Sequence, residues 1–243
     1  PLEKKSGVNY GPPGQKKLIY FVDDINLPEV DKYNTQSAVE LLRQHMEYEH
    51  VYDLSKLSTN PMKHISNTQV MSCMNPTAGS FEVNPRLQRW FALFAIGLPG
   101  PTSLLTIYQT FLAGHLSSCN FDNEVKSVAS NTIRAALGLH TAVSQKFRKT
   151  AANFHYEFNI RHISNVFQGL LVSSPEQFNT AEKFAHLWLH ESERVYGDRL
   201  VSPEDLAAYN TIAQTQSKKC FGQFNVTKFY SENADPLVFC HFA

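Results

Sequence analysis

The feature that most constrains the fold is a run of five apolar or aromatic residues, Leu18–Val22, that leads directly into Asp23 and Asp24. An uninterrupted apolar run of this length predicts a strand that is buried on both faces, as in a parallel sheet. Open α/β sheets bind their ligands at the C-terminal ends of the strands, where these two carboxylates lie. One carboxylate could anchor hydrated Mg2+ there, and the next could orient an attacking water beside a nucleotide. The pattern predicts either the acidic Walker B strand of an ATPase or a buried strand that ends in an acidic turn.

Composition narrows the class of protein and its partners. The 243 residues suit one large domain or two small ones, and 22 basic residues balance 22 acidic ones. A net charge of zero gives no electrostatic reason to expect nucleic acid or a membrane as partner, and no apolar run is long enough to span a bilayer. The four cysteines are widely spaced, which favours reduced, structural thiols in the cytoplasm. Because the N-terminus has neither an initiator Met nor a signal peptide, we expect an excerpt from a longer chain.

The first hundred residues predict part of a parallel α/β sheet, because strand, helix and further strand patterns follow one another. A helix over Thr35–His50 is expected from the spacing of its apolar residues, with Asn34 or Thr35 as its cap. The remaining segments are a loop over 1–17, the strand Leu18–Val22, an irregular stretch over 51–67, a strand over Thr68–Met74 and a third strand over Phe91–Ile96.

After Pro101 the pattern changes to apolar residues at helical spacing, which predicts an all-helical bundle over 101–221. Ser202 followed by Pro203 and two acidic residues is typical of a helix start. From Gly222 to Ala243 the pattern weakens, and we expect a connection to a following element. The apolar stripes carry these residues: Leu104, Leu105, Tyr108, Phe111, Leu112; Val125, Val128, Thr132, Ala136, Leu139, Val143, Phe147; Ile163, Phe167, Leu170, Leu171; Phe184, Leu187, Trp188, Val195.

Four further polar residues are candidates for nucleotide chemistry. Asn75 follows the second strand, so it should lie beside Asp23 and Asp24, where an amide can bond a γ-phosphate and a water; alternatively it only ends the strand in an Asn-Pro turn. Arg86 and Arg89 share one face of a helical turn and could clamp a phosphate, or form a solvated pair. Arg161, near Asn159 as a helix cap, could reach a phosphate from a helical lid, or be an exposed first-turn residue.

A glycine-rich segment, Gly11–Lys17, superficially looks like a phosphate-binding loop. It lacks the Gly-Lys-Ser/Thr ending, so it has no hydroxyl for Mg2+, and it leads straight into the acidic strand. No other segment of the chain matches GxxxxGK[ST]. The sequence therefore contains no Walker A motif.

Together, these motifs resemble the dynein heavy chain, most closely the third AAA+ module of axonemal dyneins of the outer-arm β type. The similarity extends over essentially the whole chain. It is carried by Gly11–Gly14, Phe21–Glu29, Leu41–Glu47, Met74–Phe81, Pro85–Arg89, Phe167–Leu171, Trp188–Asp198 and Asp235–Ala243.

The resemblance implies a fold and a set of roles. Residues 1–100 would be the C-terminal part of an AAA+ large α/β subdomain, 101–221 the helical lid, and 222–243 the connection to the next module. The implied ligands are ATP or ADP and Mg2+. Asp23 would bind Mg2+, Asp24 would take the place of the catalytic Glu of most AAA+ ATPases, Asn75 would be sensor 1 and Arg161 sensor 2. Arg86 and Arg89 would be the arginine-finger segment that acts on the neighbouring module's nucleotide.

Two departures from the family pattern affect the expected activity. Asp24 is one methylene shorter than Glu, which implies a slow, regulatory site, because poor placement of a general base lowers rates by about 10²–10⁴. The Walker A motif would lie upstream of Pro1, so we expect the isolated chain to be inactive. In the intact heavy chain it would be part of an ATPase ring that moves along microtubules in the axoneme of cilia or flagella, with other AAA+ modules and dynein chains as partners. The alternatives are a non-catalytic AAA+ scaffold and, less compatible with the neutral charge, a DNA-processing AAA+ protein.

Overall fold

The computed structural model describes residues 1–56, 58–59, 61–76 and 82–222. The chain forms two compact units, Pro1–Ile96 and Gly97–Ala243. The first is a mixed α/β unit and the second is helical. The fold class predicted from the sequence, a partial parallel sheet followed by a helical lid, is confirmed.

The centre of the first unit is a parallel pair of strands, β3 (Leu18–Val22) and β6 (Thr68–Ser72). They pair in register from Leu18 opposite Thr68 to Val22 opposite Ser72. Helix α1 (Ser37–Tyr48) lies against one face, where the rings of Tyr20 and His45 meet edge to face with centroids 5.6 Å apart. The structure therefore confirms the two strands predicted from the apolar runs before Asp23 and Asn75.

The expectation that β3 is buried on both faces is wrong. Its side chains alternate, and Ile19 and Phe21 are 52% and 66% exposed. Alternate residues of a strand point to opposite faces, and in the described part of the chain α1 covers only the face of Tyr20 and Val22. Met71 of the neighbouring strand is 49% exposed as well, so this pair of strands has one open apolar face.

A second sheet is formed by segments that the sequence predicted to be irregular. Its strands are short, and β2 pairs with β5 in parallel while the outer pairs are antiparallel. A turn at Gly7, which has a φ of 55°, joins the first two. The predictions of a loop over 1–17 and of irregular structure over 51–67 missed these strands, because backbone bonds rather than an apolar face define them. In order across this second sheet, the four strands are β1 (Glu3–Ser6), β2 (Asn9–Gly11), β5 (Met62–Ile65) and β4 (His50–Tyr52).

The prediction of a third strand over Phe91–Ile96 is also wrong. The short helix α2 (Pro85–Gln88) precedes it, and the segment itself pairs with no described strand. Leu93 is 70% exposed and Phe94 84% exposed. A strand requires a neighbour to which its backbone donates and accepts hydrogen bonds, and apolar composition alone does not supply one.

Helix α1 begins two residues later than predicted and has a different cap. Its N-cap is Gln36, whose side chain makes no capping bond. The hydroxyl of Thr35 instead donates to Asp31 Oδ2 at 2.7 Å, and Asn34 takes a left-handed φ of 61°. Both predicted caps therefore belong to the preceding turn.

The second unit is a bundle of five helices in its described part, as the apolar stripes predicted. Its core is continuous, and Trp188, Tyr196 and Tyr209 are its largest fully buried side chains. Ser202 caps the last helix as predicted, since its hydroxyl accepts from the Asp205 N–H at 3.1 Å. The helices are α3 (Pro101–Ser118), α4 (Asn123–Lys146), α5 (Ile160–Leu170), α6 (Ala181–Tyr196) and α7 (Pro203–Cys220).

Two details of α5 matter below. It begins with a capping box in which Asn159 Oδ1 accepts from the Arg161 N–H, and the Asn159 N–H donates to His162 Nδ1 at 3.0 Å. Near its other end, Gly169 lies against the buried side chain of Glu191 on α6.

None of the described helices is long and apolar enough to cross a membrane. The predicted connection over 222–243 lies, from residue 223 on, outside the described residues.

Candidate nucleotide site

The candidate site lies where β3 and β6 end side by side. Beyond the last ladder pair, the Cys73 N–H donates to the Val22 carbonyl at 3.1 Å, and the Ile25 N–H donates to the Cys73 carbonyl at 3.3 Å. Parallel strands in register end at the same edge of a sheet, so the residues that follow them meet. The structure thus brings Asp23 and Asp24 next to the segment that carries Asn75, as predicted.

Asp23 is an exposed carboxylate with a fixed side chain. Its Oδ1 accepts from the Asp24 N–H at 3.1 Å and from the Cys73 thiol at 2.9 Å. The hydrogen bond to Asp23 raises the pKa of the Cys73 thiol, so the thiol remains a donor at neutral pH. Both of these bonds use Oδ1, and the carboxylate as a whole is exposed.

Asp24 follows in a turn of unusual backbone geometry. Its φ is 48°, in the left-handed region that Asp and Asn enter more readily than most other residues. Its carbonyl accepts from the Leu27 N–H at 2.8 Å, which closes the turn. The Asp24 side chain is exposed, so its carboxylate is open to water.

Asn75 is exposed at the end of the neighbouring strand, and its backbone is tied to the acidic turn. The side-chain amide of Asn26 donates to the Asn75 carbonyl at 3.1 Å, although 49 residues separate the two in the chain. Asn26 itself is 4% exposed. The strand end that carries the predicted sensor amide is therefore held to the turn that carries the predicted metal ligand.

The residues at this edge fit a magnesium nucleotide. Mg2+ prefers oxygen ligands and is usually held by one or two carboxylates together with substrate phosphates and water. Asp23 and Asp24 supply such oxygens in an exposed position. Within the described part of the chain, no three His, Cys, Asp or Glu side chains cluster as a ready-made metal site, so a metal here would depend on the nucleotide for further ligands.

The two candidate finger arginines differ in their surroundings. Arg89, the C-cap of α2, donates from Nη2 to Glu47 Oε1 at 3.0 Å, and its guanidinium carbon lies 5.4 Å from the centre of the Trp90 ring. Glu47 also pairs with Arg43. Arg86 is exposed in the first turn of α2, and its N–H donates to the capping Asn84 Oδ1 at 2.9 Å. The structure thus places both on one short helix, and among the described residues a carboxylate of the same unit holds Arg89 but not Arg86.

Arg161 lies in the second unit, at the second position of α5, and its side chain is exposed. The cap predicted at Asn159 is confirmed, with His162 completing the capping box. Burial, and then the nearby charge of Arg199, lowers the pKa of His162, so its ring stays neutral at physiological pH. The predicted sensor arginine therefore occupies a well-defined first turn.

Sequence reasoning missed two residues of the site, Asn26 and Cys73. Asn26 follows Asp23-Asp24-Ile25 and is buried in the structure beside Ile25, but the sequence carries no signal of that burial. Its partner could not be predicted either, because that partner is a backbone carbonyl in the segment that follows β6. The wide spacing of the cysteines predicts structural thiols and does not single out Cys73. It is reduced in the structure, as are Cys119 and Cys220.

Comparison with known proteins agrees with this geometry. Residues 1–99 match the family model of the P-loop containing dynein motor region, and residues 132–229 match that of the AAA+ lid domain. The chain belongs to the AAA+ region of the dynein heavy chains. The strand end at Asp23 lies in the dynein motor match, and Arg161 lies in the lid match.

Individual dyneins are similar along the whole chain. It is 54% identical to the dynein alpha chain of the flagellar outer arm from Chlamydomonas reinhardtii, and 47% identical to the ciliary dynein beta chain from Tripneustes gratilla. It is also 47% identical to dynein axonemal heavy chain 17 from Homo sapiens. Each of these alignments covers 100% of this chain but only 5% of the dynein relative.

Proposed function

We propose that this chain forms the phosphate-facing edge and the lid of one nucleotide-binding AAA+ module in a dynein heavy chain. The observation that carries the proposal is the meeting of Asp23, Asp24 and Asn75 at the common end of two parallel strands. The parent would be an ATP-driven motor that moves along microtubules in the axoneme of a cilium or flagellum. The flagellar, ciliary and axonemal relatives support this location.

Each residue has a distinct role in this proposal. Asp23 would hold Mg2+, and Asp24 would orient a water. Asn75 binds the γ-phosphate, and Arg161 contributes a positive charge from the lid. Bound Mg2+ would neutralise charge on the phosphates. The protein's contribution is to fix these groups in place, which is the main source of catalysis in phosphoryl transfer.

The module would act mainly as a regulatory site that binds ATP and hydrolyses it slowly. Asp24 supports this, because its carboxylate reaches one methylene less far than that of Glu. The alternative is a non-catalytic AAA+ scaffold. A regulatory site would convert bound ATP to ADP slowly, whereas a non-catalytic scaffold would not convert it.

The assignment to the third module, and to a β-type heavy chain, rests on the motif pattern. The relatives include an alpha chain at 54% identity and a beta chain at 47%, so overall similarity does not favour the β type. The third-module assignment would be tested by the position of this segment in the complete heavy chain.

The finger segment would act on the preceding module. Arg86 is exposed, whereas Arg89 would have to leave Glu47 to reach another module's phosphate. From its place in the motif, Arg89 is the first candidate for the finger, so Arg89→Ala should disturb nucleotide occupancy at the preceding module more than at this one, and Arg86→Ala tests the second candidate. An effect confined to this module would contradict the finger role.

The direct test of the proposal is Asp23→Asn in the intact heavy chain. Photoreactive ATP is cross-linked with and without Mg2+, and the labelled peptides are assigned to modules by mass spectrometry. Asp23→Asn should abolish the Mg2+-dependent part of labelling at this module. Asp31→Asn is the matched control, because Asp31 is an exposed aspartate of the same unit whose described side-chain hydrogen bonds lie within its own turn. Equal labelling of wild type and Asp23→Asn in Mg2+ would refute the proposal.

A further inference from the structure

We propose that Cys73 is a positioning residue for Asp23: its thiol orients the carboxylate that would hold Mg2+, and it thereby sets the Mg2+ concentration that this module needs to bind ATP. The inference deepens the proposed function and rests on it. It comes from a side-chain contact between the first residues after β3 and β6.

The register of the two strands brings these residues together. Val22 lies opposite Ser72 in the last pair of the parallel ladder, so the next residues of the two segments are neighbours. The Cys73 N–H donates to the Val22 carbonyl at 3.1 Å, and the Cys73 carbonyl accepts from the Ile25 N–H at 3.3 Å. Both backbone groups of Cys73 are thus bonded to the segment that carries Asp23. The thiol therefore projects from a backbone that is fixed relative to the acidic turn.

The side chains of Cys73 and Asp23 are in contact. The Cys73 Sγ lies 2.9 Å from Asp23 Oδ1, although 50 residues separate the two in the chain. An ionised carboxylate can only accept hydrogen bonds, so the thiol is the donor. The side chain proposed to bind the metal is therefore joined to the end of the neighbouring strand.

The two described donors to Asp23 Oδ1 differ in what a substitution can remove. The Asp24 N–H, at 3.1 Å, belongs to the backbone of the same turn, and no side-chain substitution removes it. The Cys73 thiol is a side-chain donor, and it comes from the segment after β6. Exchange of this one side chain removes the hydrogen bond that ties the carboxylate to β6 and leaves the backbone bonds of both segments in place.

A carboxylate binds a metal better when its own hydrogen bonds hold it in the required orientation. Asp23 is exposed, so without the thiol its side chain would have more freedom, and it would lose that freedom when Mg2+ binds. Loss of one hydrogen bond changes an equilibrium by about three- to tenfold. We expect the affinity for Mg2+ to fall by about that factor when the thiol is removed.

Two substitutions separate the hydrogen bond from the size of the side chain. Cys73→Ala removes the donor, whereas Cys73→Ser keeps a small side chain that can donate. Thr35→Ala is the matched control, because the Thr35 hydroxyl donates to Asp31 Oδ2 at 2.7 Å and both residues are exposed in the same unit. The control thus removes a side-chain donor from an exposed aspartate that is not at the strand end.

The experiment uses the intact heavy chain and photoreactive ATP, with labelled peptides assigned to each module by mass spectrometry. Free Mg2+ is varied, and the concentration that gives half of the Mg2+-dependent labelling at this module is measured. Cys73→Ala should raise that concentration by about three- to tenfold, with labelling at saturating Mg2+ unchanged. Cys73→Ser should restore it most of the way to the wild-type value, and Thr35→Ala should leave it unchanged.

Four results would overturn the inference. The half-saturating Mg2+ concentration could be unchanged or lower in Cys73→Ala, equally raised in Thr35→Ala, or raised as much by Cys73→Ser as by Cys73→Ala. The fourth result is loss of labelling in Cys73→Ala even at saturating Mg2+, since Cys73 would then be needed for folding and not for the orientation of Asp23. Failure of the proposed function would look different, because the wild-type module would then not be labelled, or its labelling would not depend on Mg2+.

Discussion

Gly169→Ala in the helical unit should destabilise the protein, although alanine is the better helix former. A Cβ at residue 169 would lie 2.7 Å from Glu191 Cγ and closer still to its Cδ and Oε2. No real contact is that short, so the Glu191 carboxylate must move away. Glu191 has a side chain that is only 10% exposed, and its Oε2 accepts from Arg194 Nη2 at 2.6 Å and from Nε at 3.1 Å.

The size of the effect follows from three contributions. Overpacking at a buried contact costs about 1–3 kcal/mol. Loss of the pair with Arg194 adds up to about 1 kcal/mol, because the arginine side chain is half exposed and its charge is screened. Replacing glycine by alanine in a helix gains about 0.5–1 kcal/mol. With the middle of each range, the net result is a loss of about 2 kcal/mol in the free energy of unfolding.

Two further variants make the prediction specific to the contact. In a Glu191→Ala background the obstacle is gone, so Gly169→Ala should become stabilising by about 0.5–1 kcal/mol. Gly114 on α3 is the matched control, because a Cβ there would meet nothing within 4 Å. Gly114→Ala should stabilise the wild type by a similar amount.

Urea unfolding followed by far-ultraviolet circular dichroism measures these differences, since the described helices of the second unit contribute most of the signal. The decisive result is that Gly169→Ala lowers the free energy of unfolding in the wild type but raises it in the Glu191→Ala background. The contrary results are that Gly169→Ala stabilises the wild type as Gly114→Ala does, or that it destabilises both backgrounds equally. Either result would show that the contact with Glu191 does not determine how the protein tolerates a side chain at residue 169.

Three other predictions concern pH, catalysis and binding. Burial, and then Asp198, raises the pKa of Glu193 from 4.5 to about 7. The folded unit therefore keeps a proton that the unfolded chain releases, and its free energy of unfolding should fall as pH rises through about 7. Glu193→Gln should remove this fall in urea titrations, and the exposed control Glu176→Gln should not. Asp24→Glu in the intact heavy chain should keep or raise single-turnover hydrolysis at this module; loss of turnover with nucleotide still bound would contradict the role given to Asp24. The isolated chain should bind ATP–Mg2+ weakly in isothermal titration, because no segment of it matches GxxxxGK[ST], and a low-micromolar dissociation constant, about −8 kcal/mol, would refute this.

The sequence could predict those parts of the fold that are defined by side-chain pattern. The apolar run before Asp23 and the similar run before Asn75 predicted β3 and β6, and helical spacing predicted α1 and the bundle. Because parallel strands end at one edge, the meeting of Asp23 and Asn75 followed from the same reasoning.

Elements that depend on distant pairing could not be predicted in this way. Strands β2 and β5 pair across more than 50 residues through backbone groups, and their short polar sequences give no periodic signal. At Phe91–Ile96 the error was the opposite one, a strand predicted where none forms. The segment has the apolar composition of a strand, but no described strand pairs with it. Within the site, the bond from Asn26 to Asn75 escaped prediction because it ends on a carbonyl, and every residue has one.

The capping box of α5 leaves the charge of Arg161 available. The third position of such a box is commonly Glu, whose carboxylate would sit one residue from the guanidinium and compete with any phosphate for it. Here that position is His162, whose neutral ring satisfies the Asn159 N–H without adding a negative charge. Glu157, the acidic residue that acts on His162, is itself paired with Lys149 at 3.4 Å. The helix start is thus closed by an uncharged group, and an approaching anion meets an arginine that no carboxylate of its own turn has neutralised.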